Sequence, residues 1–170
     1  MTRFCFAVFA LSLPFGLSAQ TANPLSTESK MAYTNIRNNM AKMAEKMPAE
    51  LYSYKPVPEI RTFGELVGHV ADSTLRTCTT IAGATKQGTA AKMTAKAELV
   101  AALKEALASC DGVFESFTDA KAMETITVRN AQRTKLGAMV GNIAHLNEEY
   151  GYMAVYLRLK NIVPPSSEAR

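Results

Sequence analysis

Histidine and cysteine are scarce in this 170-residue chain, with two and three copies respectively. No cysteine pair is spaced C-x-x-C, which leaves neither a dithiol redox motif nor a zinc knuckle. The H-E-x-x-H signature of zincins is missing, as are G-x-S-x-G and a phosphate-binding glycine loop. Net charge is only +4, and no cluster of Lys and Arg forms a stripe. That leaves no electrostatic footprint for nucleic-acid binding. Neither an internal repeat nor an interior low-complexity linker is present. The long apolar run near the N-terminus is too short for a comfortable membrane span.

That run has the layout of a secretory signal. Arg3 supplies the positive start, Phe4 to Leu17 is apolar apart from Ser12, Pro14 and Gly16, and Leu17-Ser18-Ala19 offers a small residue before Gln20. The expectation is a signal peptide over 1–19 and one domain over 20–170, about 150 residues long. Export to the periplasm or the medium follows, with no stable membrane span after cleavage. Cys5 lies too early to be a lipobox cysteine. Cleavage leaves Cys78 and Cys110, an even number in an oxidising compartment. Two readings stand for them: a disulfide, or two small buried core residues.

The mature chain is written mostly in helical periods. Ser26 or Thr27 is placed to cap a first helix, in which Tyr33, Ile36, Met40, Met43 and Met47 recur on one face. The three methionines fit core packing better than a copper(I) site. Pro48 ends that helix, and Pro56 and Pro58 make 52–61 a loop. Thr62-Phe63-Gly64-Glu65 is a capping box for a second helix, whose inward stripe is Phe63, Leu66, Val67, Val70, Thr74 and Ile81. A third helix is expected from about Thr94 to Phe117, rich in good helix formers. Between 118 and 133 the pattern is weaker. Asp119 to Met123 suits a helical turn, and Thr125 to Val128 a short extended piece. A fourth long helix is expected from Thr134 to about Asn161, before Pro164. The sum is an all-α four-helix bundle.

The last helix carries the chemistry. His145 and Glu149 are one turn apart, within about 40° of each other on the helix surface. Asn142, Tyr152 and Tyr156 lie on the same strip, which lacks Lys and Arg. An imidazole and a carboxylate at this spacing suit a shared divalent ion. The other histidine, His69, is on the second helix. A surface pair without metal is the competing reading of His145 and Glu149. Gly137, Gly141, Ala144 and Gly151 form a face of small residues, which implies close approach of a neighbouring helix or a second subunit.

Two segments together resemble a known family. One runs from Tyr52 to Asp72 and contains Gly68-His69-Val70-Ala71-Asp72. The other contains His145-Leu146-Asn147-Glu148-Glu149-Tyr150-Gly151 and continues through Tyr156-Leu157-Arg158 to Val163-Pro164-Pro165. They look like the DinB-like (DinB/YfiT) superfamily of metalloenzymes, and like its exported branch ending in Tyr-x-Arg-x-x-x-x-Val-Pro-Pro. The resemblance implies an up-down-down-up four-helix bundle, often a homodimer, with a divalent metal held by three histidines. One histidine comes from the second helix and two from the last, four residues apart. Carried onto this chain, the ligands are His69, His145 and position 149, where Glu149 stands in place of the third histidine. The departure leaves two outcomes: a two-histidine, one-carboxylate site for Zn, Ni, Fe or Mn, or a weakened one.

Characterised members of the resembled family include metal-dependent thiol S-transferases and a thiol-dependent isomerase. The expected function is therefore an exported, metal-dependent enzyme of transferase or hydrolase type acting on a small molecule. The alternative is a non-catalytic binding or dimerisation module with a degenerate site. Asp72 and Asn142 are expected to support the ligands from behind, and Tyr152 and Arg158 to contact substrate.

Overall fold

The computed structural model describes residues 22–128 and 130–168. The expected signal segment, 1–19, lies outside the described residues. Four long helices are present: α1 Pro24–Lys46, α2 Phe63–Ile81, α3 Lys96–Glu115 and, last in the chain, α5 Lys135–Leu159. The short helix α4, Asp119–Ala122, and the antiparallel hairpin of β1 Thr125–Val128 and β2 Ala131–Thr134 separate α3 from α5. The long helices form a ring in which α1 packs on α3, α3 on α2, α2 on α5 and α5 on α1.

Local chemistry accounts for most boundaries. Thr62 caps α2 through both bonds of the expected box: its Oγ1 accepts from the Glu65 amide, and Glu65 accepts from the Thr62 amide. Thr134 caps α5 by accepting from the Gly137 amide. The start of α1 differs from expectation. Pro24 takes the first helical position, Asn23 precedes it at φ 59° without a side-chain cap bond, and the distant Asp119 accepts instead from the Leu25 and Ser26 amides. Proline suits the first helical position, where its missing N–H leaves no donor unpaired. Ser26 lies inside the helix, where its amide and hydroxyl both donate to Asp119 at 2.8 Å. This clasp ties the start of α1 to α4.

The core is where the helical stripes meet. Met40, Met43 and Met47 are fully buried, as are Phe63, Val67, Val70, Leu99, Met139, Leu146 and Met153. Their burial places the methionine run in the packing. Cys78 on α2 and Cys110 on α3 are joined in a disulfide, with Cα atoms 5.0 Å apart. The hairpin goes beyond the expected single extended piece. Ion pairing of Lys135 to Glu124 at 2.7 Å closes its base, and Asn130 turns it at φ 66°, a conformation asparagine tolerates.

The segment between α2 and α3 is drawn tightly over α2. A Cβ on Gly68 would lie 2.8 Å from the Ala90 carbonyl oxygen. Asp72 accepts from the amides of Ala90 and Ala91 at 2.8 and 3.0 Å. Glycine at 68 and a carboxylate at 72 thus hold this connection beside the helix that carries His69.

Candidate metal centre

Packing of α2 against α5 turns two helix faces toward each other. His69 contributes from α2, and His145 and Glu149 from successive turns of α5. One ligand atom from each of the three lies within 4.8 Å of the others. His69 Nε2 stands 3.5 Å from Glu149 Oε1, and His145 Nδ1 stands 3.7 Å from the same oxygen. The imidazole rings meet edge to face with centroids 5.1 Å apart.

Glu149 is the unusual member. It is 5% exposed, and its Oε2 has no hydrogen-bond partner. Neither histidine contact to Oε1 closes to a hydrogen bond. Burial pushes the carboxyl proton affinity up, while the nearby charges of His145 and Arg61 oppose that shift. Burial also pulls the His69 proton affinity down, with the Arg61 and His145 charges acting in the same direction. A buried carboxylate without donors is costly, and two nitrogens turned toward it without donating explain nothing. A divalent cation between the three would take Oε1 and both imidazole nitrogens as ligands, so this donor set fits such an ion.

The two histidines of the cluster, but not Glu149, line a cavity of about 750 Å³. His69, Ser73, Arg76 and Thr80 line it from α2, and Gly141, Ala144, His145 and Glu148 from α5. The hairpin contributes Thr127, Val128 and Arg133. Of the small residues of α5, Gly141 and Ala144 line this cavity, and only the Arg133 guanidinium approaches a Cβ built on Gly141; Gly151 is exposed and outside the lining.

The flanking residues have other roles than those expected of them. The carboxylate of Asp72 is spent on the amides of Ala90 and Ala91 and does not bond His69. It lies three residues along α2, about 60° around the helix from the histidine. Buried Asn142 reaches the cavity wall, but its amide nitrogen points at the disulfide, 3.9 Å from Cys78 Sγ and 3.7 Å from Cys110 Sγ. Tyr152 is exposed, donates to Glu148 at 2.9 Å, and does not line the cavity. Arg158 is exposed and also absent from the lining. It lies about 20 Å along α5 from His145, at 1.5 Å per residue, which removes it from substrate contact at the cluster. Tyr156 is buried and donates to the Arg61 carbonyl at 2.6 Å.

Arg76 and Arg133 were not singled out from the sequence. Arg76 had a readable signal: it lies two turns from His69 on the same face of α2, with Ser73 between them. Arg133 had none, because only the fold brings the hairpin over α5.

The model of the DinB superfamily matches residues 32–153. The chain belongs to the DinB superfamily. Among solved structures it is similar to a DinB-like protein from Bacillus cereus ATCC 10987, with a TM-score of 0.70 at 15% identity, covering 82% of this chain and 95% of that one. A DinB-like protein from Bacillus subtilis gives a TM-score of 0.65 at 19% identity, covering 84% and 99%. A conserved protein from Enterococcus faecalis gives 0.64 at 15% identity, covering 79% and 95%. At these identities the similarity establishes the fold. No curated protein matches the chain. Metal binding is frequent in the superfamily, and the His69, His145 and Glu149 cluster could hold an ion.

Proposed function

We propose that this DinB-superfamily chain is an exported, divalent-metal-dependent enzyme of transferase or hydrolase type, with a small molecule as substrate. The convergence of His69 and His145 on the buried carboxylate of Glu149 carries the reading. His69, His145 and Glu149 would hold the metal, and a nitrogen and oxygen donor set of this kind suits Zn, Ni, Fe or Mn. When bound, such an ion supplies Lewis acidity, polarising a coordinated group and lowering its proton affinity. The residues around it set the rest. Packing of α2 on α5 brings the two imidazoles to the cavity wall, where substrate would enter, while Glu149 stays buried. Export is favoured by the Cys78–Cys110 disulfide, which suits an oxidising compartment. No described helix is long and apolar enough to cross a membrane.

A second reading, a dimerising binding module, has its own observation. Val140, Val155 and Leu159 are each at least half exposed along α5, beside bare Gly151. Homodimerisation through this face would cover them. The two readings part on one experiment. Protein loaded with zinc, nickel, iron or manganese in turn is screened against esters, amides and thiol-acceptor pairs. The enzyme reading expects turnover that chelation and Glu149→Ala both abolish. Failure of every loaded form, with a dimer that Gly151→Leu dissociates, would favour the binding module.

A further inference from the structure

The cavity beside the cluster has a chemical bias of its own. Arg76 enters it from α2 and Arg133 from β2, on different walls. Among the described residues, neither guanidinium forms an ion pair. Arg133 extends over the face of α5, with Nη1 3.7 Å from where a Cβ of Gly141 would be. The walls between the two arginines carry neutral hydroxyls and an amide, including Thr77, Thr80, Thr85 and Gln87. Thr80 and Thr85 hydroxyls lie 2.9 Å apart across the α2–loop junction. The one carboxylate in the lining, Glu148, already accepts the Tyr152 phenol.

Two guanidinium groups without acidic partners make an anion receptor, because each offers a planar fork of donors matched to carboxylate or phosphate oxygens. A cavity near 750 Å³ has room for a small organic molecule as well as its charged group. We propose that the substrate is a small acid, carrying a carboxylate or phosphate that Arg76 and Arg133 hold while its reactive part lies at His69 and His145. The role of the reactive part rests on the metal-enzyme reading above; the anion site does not.

The test uses the mature chain, metal-free and zinc-loaded, titrated with glutarate, its neutral isostere glutaramide and inorganic phosphate, and followed by amide NMR shifts. Glutarate is expected to bind saturably, with shifts at Thr77, Thr80 and Gln87, and glutaramide roughly ten-fold or more weaker, the worth of one charge-assisted hydrogen bond. Phosphate binding as tight as glutarate would assign the site to phosphate as well as carboxylate. Arg76→Gln and Arg133→Gln should each weaken glutarate several-fold, while Arg158→Gln, an exposed arginine outside the cavity lining, should leave anion binding unchanged. If either arginine variant fails to fold, the glutarate and glutaramide comparison on the unaltered chain decides. Equal binding of acid and amide, binding of neither anion, or unchanged affinity in both folded arginine variants overturns the proposal. A chain that takes no zinc yet binds glutarate through its arginines would refute the metal reading alone.

Discussion

Replacing Glu149 by glutamine should stabilise the metal-free protein and remove its response to metal. Glutamine keeps the shape of the side chain and deletes its charge. In the folded chain that charge is nearly enclosed, one oxygen has no partner and the other faces two imidazole nitrogens at 3.5 and 3.7 Å. Relieving a buried carboxylate that has no donors is worth about 1–2 kcal/mol here, since the histidines offset part of the penalty. For a chain of this size that raises Tm by roughly 2–8 °C. Metal acts in the opposite sense. An ion at one hundred times its Kd stabilises the unaltered protein by about 2.7 kcal/mol. The Glu149→Gln chain should forfeit most of that gain. Thermal and urea unfolding, each with EDTA and with zinc, measure both terms. A variant less stable than the unaltered chain in EDTA, or equally stabilised by zinc, would refute the reasoning.

Other outcomes follow from the same packing. Converting Cys78 and Cys110 together to alanine opens a crosslink of sequence separation 32, which should lower stability by about 3.7 kcal/mol on the chain-entropy relation, read as a shift in the urea midpoint. Gly68→Ala should cost about 1–3 kcal/mol, because the new methyl meets backbone rather than a movable side chain, and denaturation would register it. Glu65 is held below its ordinary value of 4.5 by its bonds to Thr62. Its folded form therefore binds fewer protons than its unfolded form. The stability it contributes is present above that value and is lost as pH falls through the depressed one. Glu65→Gln should flatten this part of the acid unfolding curve; an unchanged acid limb would exclude the capping box as its source.

The bundle was legible because apolar spacing and caps agree along most of the chain. Phe63, Leu66, Val67 and Val70 are buried as their period requires, and the Thr62 and Thr134 caps lie where helix starts were expected. The start of α1 was misread because Pro24 and the distant Asp119 outcompete a local serine cap. The second hairpin strand was missed because Ala131, Gln132 and Arg133 are exposed and carry no alternating apolar pattern. His69, His145 and Glu149 could be read from helical geometry and family resemblance together. The partners of Asp72 and Asn142 could not, since they come from a loop and a disulfide distant in sequence. The same holds for Arg133, which reaches the cavity only through the hairpin.

Metal content tests the central claim most directly. Protein spanning residues 20–170, purified without an affinity tag beside a His145→Ala control, would be analysed by elemental mass spectrometry after loading and desalting. The account predicts about one Zn, Ni, Fe or Mn per chain, lost in the control. A folded chain that holds no divalent metal, or holds it equally with His145 removed, would contradict it.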